Sequence, residues 1–496
     1  MESASESLLS GRFANDAPVI PEDQIPAFAF CGALPTLRRM TFSPLRSLWL
    51  MLVFGCLLPF VRGAGTLVSG PMLGYAAHRE VLVWLEVKGA KQVTLEYWLA
   101  GHPEAAQKLT RADLPVTPAG GQIVKFRPGL LEMGAAYEYA IDIDGVRQSF
   151  AYPLRFKTHP LWEWRTPPPD FSFIFGSCAY LNEAAYDRPG PPYGKGTEIF
   201  RHMADSGADF MIWGGDDWYY REPDFDSASG LWYRAQHDRA TADLQKLFAV
   251  MNHYATWDDH DYGCDDSNKS FELKDESLRI FEDYWGNATY GQVGHPGVFT
   301  KFFWGDAAFI LMDDRWYRDD TTLDEALHRD KTQYGAHQLD WLKQSLLEAQ
   351  VLRHFTFKFV VTGGQMLTDF GGASETFEYF KHERSEILQF IRDQHITGVV
   401  FLTGDVHFTE LARAGIGTSQ TIYELTSSPF SSSSWAVEKS ERAKDPQRVP
   451  GTLVADQNYC VLALHGPKDD RVLTITCFDK TNTQRWTHDI KASELR

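Results

Sequence analysis

Cysteine is scarce, with six residues in 496, so disulfides do not build this fold. Positive charge is short as well: 48 Lys and Arg stand against 66 Asp and Glu, a net charge of −18. That balance, with no basic stripe in the sequence, argues against sequence-independent nucleic-acid binding, which needs clustered cations to displace counterions. No run reaches the roughly 20 apolar residues of an ordinary membrane span. Several catalytic signatures are missing too. There is no Gly-x-Ser-x-Gly nucleophile elbow and no His-Glu-x-x-His zinc helix. Gly190–Thr197 has the outline of a phosphate-binding loop, but three residues rather than four separate its first glycines. Gly196 also stands where Ser or Thr is required. A serine esterase and a nucleotide-driven motor are thereby disfavoured.

Apolar and charged fractions of 44% and 23% are those of a folded soluble chain, and its length fits two or three domains. Aromatic residues make up 14%, enough for large cores and aromatic-lined clefts. Leu48–Val61 is a 14-residue apolar run holding one Pro and flanked by Arg46 and Arg62, the length of a signal-peptide core. Val61 and Gly63 provide small residues for cleavage, and Met40 opens a normal leading segment. The expectation is a leader over 40–63 and an exported, periplasmic or extracellular protein, with 1–39 a non-native extension. An uncleaved signal anchor is the alternative; a lipoprotein box at Cys56 is disfavoured by bulky Phe54.

Residues 68–157 carry short strand-like runs: Val81–Val87, Gln92–Leu99, Tyr137–Ile143 and Gln148–Phe156. Asp144-Gly145 is a hairpin signal, because that pair tolerates positive φ. Val83, Leu85 and Val87 alternate, predicting one packed face and one wet face. A small β-sandwich of fibronectin or immunoglobulin type is expected, followed by a stiff Pro-rich linker over 158–170. From Phe171 to the end, strands alternate with helices, predicting an α/β domain with a largely parallel sheet. The runs Thr421–Leu425, Tyr459–His465 and Val472–Phe478 return to β and are expected to close a second sheet. Ser431–Ser434 and Lys439–Lys444 read as a mobile polar loop.

Ligands in such sheets sit beyond the carboxyl ends of strands. Four strands here end in polar clusters: Gly176-Ser177-Cys178, Gly215-Asp216-Asp217-Trp218-Tyr219, Trp257-Asp258-Asp259-His260-Asp261 and Gly404-Asp405-Val406-His407. Buried carboxylates at three strand ends would repel one another, and metal cations are the usual remedy. Asp405 and His407, read as an extended segment, point to the same side as a ligand pair would.

These four motifs in this order resemble the PhoD-like alkaline phosphatases of the metallophosphoesterase superfamily. The resemblance runs from about Val68 to about Asp479, and includes Phe309–Arg318 and the Leu339-Asp340-Trp341-Leu342 helix. It implies a four-layer α/β/β/α domain behind an N-terminal β-sandwich. It also implies an Fe³⁺ and Ca²⁺ site that hydrolyses phosphate monoesters and diesters by in-line attack of a metal-activated hydroxide. Cys178, Asp216, Tyr219, Asp259, Asp405 and His407 match the metal-binding positions, with Asp216 the bridging candidate. Thiolate and phenolate are anionic donors suited to trivalent iron, and carboxylates suit calcium. His260 is the candidate contact to phosphoryl oxygens or proton donor to the leaving alkoxide, and Arg315 the candidate phosphate fork. Relatives often carry Pro-Asn-Asp where this chain has Cys264-Asp265-Asp266, so the second-metal surroundings differ.

Each residue has a plainer reading. Cys178 is by type a small buried thiol, Tyr219 a core aromatic, and Arg315 a salt-bridge partner for Asp313 or Asp314. Asp265 and Asp266 supply further calcium oxygens or are simply solvated. Cys460 and Cys477, in adjacent late strands, either pair or remain free, and Gly363-Gly364-Gln365 places an amide near the site. Trp218, Tyr220, Trp232 and Tyr233 are candidates for lining the approach, favouring bulky or aromatic leaving groups. Small-molecule or lipid phosphate esters are the expected partners of a monomeric enzyme. A non-catalytic protein gripping a glycan or phospholipid head group on a degenerate hydrolase fold is the competing reading.

Overall fold

A computed structural model describes residues 65–370, 375–417 and 420–496; the expected extension 1–39 and leader 40–63 lie outside the described residues. The first strands are β1 (Thr66–Ala76), β2 (Val81–Lys88), β3 (Gln92–Leu99), β4 (Gln107–Ala112), β5 (Gln122–Phe126), β6 (Ala136–Ile143), β7 (Val146–Arg147) and β8 (Arg155–Lys157). They form the sandwich, with β1, β2 and β5 packed on β3, β4, β6 and β8 around Val83, Leu85, Leu95, Ile141 and Phe156. Asp144 and Gly145 close the β6–β7 hairpin at φ 50° and 81°, as that pair predicts. Of the stretch expected as a strand over 148–156, only Arg155 and Phe156, the start of β8, are strand.

The wet face expected of β2 is not wet. Val83, Leu85 and Val87 enter the sandwich core, yet Leu82, Trp84 and Glu86 on the opposite face are buried too. A helical layer covers them: Trp84 Nε1 donates to the Asp283 carbonyl at 2.8 Å, and the Tyr284 hydroxyl donates to Glu86 Oε1 at 3.2 Å.

Beyond the sandwich, helices alternate with strands: β9 (Phe171–Gly176), α1 (Glu198–Ala204), β10 (Phe210–Gly214), α2 (Ala228–Arg239), α3 (Ala242–Val250), β11 (Asn252–Thr256), α4 (Asp259–Tyr262) and α5 (Lys274–Tyr284). Then come β12 (Thr300–Trp304), β13 (Ala307–Leu311), α6 (Gly335–Leu347), β14 (Phe357–Val361), α7 (Lys381–Asp393) and β15 (Val399–Thr403). The chain ends with β16 (Glu410–Ile416), β17 (Gln420–Thr426), β18 (Asn458–His465), β19 (Val472–Asp479) and β20 (Gln484–Lys491).

Two sheets result. The first has the order β20-β19-β18-β9-β10-β11-β1-β2-β5, and the second β12-β13-β14-β15-β17-β16. In β13–β15 every residue is apolar except Lys358 and Thr403, because both faces are covered. Phe309, Phe359 and Leu402 face the first sheet, where the Phe173 ring meets Phe309 at 5.1 Å. Ile310, Val360 and Phe401 face Leu342, Leu346, Ile387 and Ile391 of α6 and α7. With α1, α2, α3 and α5 packed against the first sheet, the layering is α/β/β/α.

The late strands depart from expectation. β17 joins the second sheet, but β18 pairs antiparallel with β9 and carries β19 and β20 outward in the first sheet. The free edge of β9 is thereby covered rather than a new sheet begun. The same arrangement lays Cys460 directly opposite Cys477, both buried and both free thiols. Within the described residues no helix is long and apolar enough to cross a membrane.

Candidate metal centre

The carboxyl ends of β9, β10 and β15 turn sharply where they meet. Cys178, Asp216, Asp405 and His407 adopt φ of 64°, 56°, 63° and 55°. Left-handed backbone at a non-glycine residue costs on the order of 1–2 kcal/mol, and its concentration here is the kind of strain that functional sites store. The extended Asp405–His407 segment expected from alternation is therefore a tight turn, with both residues left-handed. Backbone lacing holds the turns: Cys178 N–H donates to the Gly215 carbonyl at 3.2 Å, and Gly404 N–H to the Gly363 carbonyl at 2.8 Å. Gly363 must be glycine, since a Cβ there would run into the carboxylates of Asp258 and Asp314.

Four of the six expected ligands converge directly. The Cys178 thiol donates to Asp216 Oδ2 at 3.4 Å, and the Tyr219 hydroxyl donates to the same oxygen at 2.9 Å. His407 Nε2 lies 3.3 Å from the Tyr219 hydroxyl. Cys178, Asp216 and His407 offer donor atoms within 4.8 Å of one another, as do Asp216, Asp259 and His260, so Asp216 belongs to both groups. Cys178, Asp216, Tyr219 and Asp259 are all at most 4% exposed.

Burial pushes the acids of Cys178 and Tyr219 up, and the Asp216 carboxylate adds to it in both cases. Burial and the Asp259 carboxylate likewise raise Asp216. Burial, with Asp259 and Glu375, raises Asp405 to about 7. Burial lowers His407 to about 4, leaving the neutral ring that a ligand requires. Asp259 is the exception: burial raises it, but His260 and Arg315 outweigh that and hold it at about 2. Anionic donors crowded in a dry pocket are what a bound cation stabilises, and Asp405 Oδ2 and Asp259 Oδ1 are buried without a hydrogen-bond partner. The residues fit a metal centre.

A second acidic group lies beside the first, and the sequence reading missed two of its members. Asp258, Asp259 and Glu375 bring carboxylate oxygens within 4.8 Å of one another, all buried. Asp258 stood next to an expected ligand and was passed over; Glu375 follows no strand and carried no signal. Arg315 is wholly buried beneath this group rather than open to substrate. Its Nε donates to Asp258 Oδ1 at 2.6 Å, its Nη2 pairs with Asp258 and Glu375, and its Nη1 donates to the Ser267 carbonyl at 3.2 Å. The guanidinium expected to fork a phosphate is consumed by carboxylates, and neither Asp313 nor Asp314 is its main partner.

His260 faces outward, its side chain 21% exposed, with Nε2 3.4 Å from Asp265 and 4.0 Å from Asp259. Asp265 is solvated; Asp266 donates its N–H to Asp259 Oδ2 at 2.8 Å. Cys264 is half-buried and accepts from the Ser267 hydroxyl at 3.2 Å. The Gln365 amide points away, donating to Glu410 and Thr426. Of the expected approach residues, Trp218, Tyr220 and Trp232 are core, and only Tyr233 reaches the surface. The supposedly mobile serine loop is a wall of the site. Ser431 and Ser432 are buried with N–H groups on the Cys178 carbonyl at 3.2 Å, and the Ser428 hydroxyl donates to the Cys178 sulfur at 3.1 Å.

Known proteins resemble this chain in sequence and share its fold. Alkaline phosphatase D of Bacillus subtilis (strain 168) is 23% identical over 365 residues, which is 62% of this chain and 60% of that protein, so the match spans under two thirds of the relative. A solved structure titled as that of PhoD superposes with a TM-score of 0.68 at 16% identity, covering 84% of this chain and 91% of its own. The purple acid phosphatase PPD1 from yellow lupin (Lupinus luteus) seeds gives a TM-score of 0.56 at 10% identity, covering 85% and 74%. The sequence profile of the PhoD-like phosphatases matches residues 173–467, more than half of the chain, and the chain belongs to that family.

Proposed function

We propose that the protein is a metal-dependent hydrolase of phosphoric esters. The observation that carries this reading is the convergence of Cys178, Asp216, Tyr219 and His407 beside the acidic group of Asp258, Asp259 and Glu375. A thiol, a phenol, an imidazole and a carboxylate suit Fe³⁺; the all-oxygen group suits Ca²⁺. When bound, such ions polarise phosphoryl oxygens and make water nucleophilic near neutral pH. The remaining roles fall to the chain. Asp216 spans the two donor groups and fixes their separation. His260, its side chain one-fifth exposed beside Asp259, is placed to give a proton to the leaving oxygen. Arg315 and Arg318 are positioning residues that clamp Asp258 and Glu375 from behind, Arg318 Nη2 reaching Glu375 at 2.9 Å. The basic-flanked run Leu48–Val61 supports export; small or lipid phosphate esters are the substrates the family membership suggests.

The test is metal analysis of the purified protein by mass spectrometry, with nitrophenyl phosphate monoester and diester assays. Iron and calcium are expected, with turnover lost on chelation and kcat/KM lowered at least roughly a thousandfold by Asp216→Ala. A folded protein that stays metal-free and inactive after supplementation, yet binds phosphate esters, overturns the hydrolase reading in favour of a binding protein.

A further inference from the structure

The Gly190–Thr197 segment, which fails as a nucleotide loop, lies against the metal centre. Its backbone is pinned on three sides. Gly194 N–H donates to Asn182 Oδ1 at 2.9 Å and its carbonyl accepts from Asn182 Nδ2 at 2.9 Å. Lys195 N–H donates to the Ser431 carbonyl at 2.6 Å, and the Ser433 hydroxyl donates to the Tyr193 carbonyl at 2.8 Å. A Cβ at Gly194 would press on the Tyr180 carbonyl at 2.7 Å, so the loop sits as close as glycine allows. Tyr193 is thereby held in one place.

Its position is unusual among the aromatics of the site. The Tyr193 hydroxyl is 3.2 Å from His407 Nδ1, the ring nitrogen opposite the one facing Tyr219. The rings run in sequence, Tyr193 to Tyr180 at 4.8 Å, Tyr180 to Tyr219 at 5.1 Å, and Tyr219 to His260 at 4.2 Å. Tyr219 is buried, whereas Tyr193 is 41% exposed. The Tyr193 ring is therefore partly open to solvent while its hydroxyl lies in hydrogen-bond reach of a candidate ligand residue.

The geometry points to Tyr193 as a specificity-determining residue: its ring is the platform for the leaving group, selecting phosphate esters whose leaving group carries a flat ring. The inference rests on the phosphoester-hydrolase reading. An aromatic ring stacked on a fixed aromatic gains about 0.5–1.5 kcal/mol beyond its buried area, and the pinned loop removes the entropy cost of ordering the platform. The hydroxyl has a separate task. It accepts from or donates to His407 Nδ1 and sets the orientation of that ring, as outer partners of ligating histidines do.

Phenyl and ethyl phosphates, as monoesters and as diesters, separate the two tasks. The ratio of kcat/KM for phenyl over ethyl ester cancels damage common to both substrates. Tyr193→Ala is expected to lower that ratio roughly two- to tenfold. Tyr193→Phe should hold the ratio near the wild-type value while lowering both rates together. Tyr193→Leu keeps bulk without the ring face and should behave like Ala, which covers the case of an Ala variant that does not fold. Calorimetric binding of phenylphosphonate and ethylphosphonate to the metal-loaded protein reads the platform without turnover. An unchanged ratio in Ala and Leu, or a fall of the ratio in Phe as large as that in Ala, overturns the platform while leaving the hydrolase intact. No hydrolysis of either ester, with phenylphosphonate preferred and the preference lost in Tyr193→Ala, retains the platform and overturns the hydrolase.

Discussion

Arg315 shows how charge is managed behind the metal centre. Its guanidinium is fully buried between Asp258 and Glu375, and among the described residues no other cation is paired with Asp258. Removing one partner of a buried pair leaves an uncompensated charge and costs about 3–5 kcal/mol. Arg315→Ala should therefore lower unfolding stability by that order in denaturant titrations. Arg315→Lys should recover only part of it, because an ammonium cannot bridge both carboxylates as the planar fork does. If Arg315 instead gripped phosphate, KM would rise with stability unchanged. The partners of Arg315 were not legible in the sequence, since Glu375 lies 60 residues away in a segment without strand or helix pattern. The positions of the candidate ligands were legible for a physical reason. Gly215-Asp216 and Gly404-Asp405 follow buried strands, and Asp is one of the few residues that tolerates the left-handed backbone needed to turn its side chain back. Strand alternation hid the turn itself, so the extended shape expected for Asp405 and His407 differs from the left-handed turn they adopt.

Elements were readable where burial is uniform and misread where a neighbour changes what burial means. β13, β14 and β15 are continuous apolar runs because helices cover one face and a sheet the other. β2 looked amphipathic in part because Glu86 interrupts the run, yet its carboxylate is buried against Tyr284 and Gln236. β17 repeats that pattern with consequences. Glu424 is fully buried, and its Oε2 accepts from the N–H groups of Met366 and Leu367 at 2.6 and 2.9 Å, fixing the chain just beyond Gly363-Gly364. Burial raises its carboxyl from 4.5 to about 8. The folded state then holds a proton that the unfolded chain has already lost, so stability falls as pH rises from about 4.5 through about 8. Glu424→Gln keeps an acceptor for both amides without the charge. It should nearly match wild type near pH 5 and exceed it by about 4–5 kcal/mol at pH 9, measured as unfolding free energy in urea. Equal pH dependence in the two proteins would mean that Glu424 ionises freely in the fold.

At the scale of the whole molecule, the sandwich is built into the larger domain. β1 lies parallel to β11 through the Leu73–Asn252 pair, extending one sheet across both parts. Lys125 of β5 donates to the carbonyls of Glu282 and Trp285 at the end of α5, Trp285 at 2.9 Å, where a cation offsets the helix dipole. The Ser69 hydroxyl of β1 donates to the Arg239 carbonyl at 2.7 Å, and the Arg239 guanidinium lies over Trp285 at 4.0 Å, Phe248 at 4.3 Å and Trp84 at 5.4 Å. Trp84 comes from the sandwich; the other two rings come from the larger domain. Removing the sandwich would strip that cation of one aromatic wall, uncap α5 and expose the helix faces that cover β2. Residues 158–496 alone should therefore lack a cooperative melt and bind a hydrophobic dye, whereas residues 65–496 should unfold in one calorimetric transition with equal calorimetric and van't Hoff enthalpies. Lys125→Met, which keeps the buried stem and removes only the cap, should cost about 1 kcal/mol in that same transition without splitting it. Two resolved transitions in the longer chain, or a soluble and active 158–496, would show that the shared sheet is a contact of convenience and that the parts fold independently.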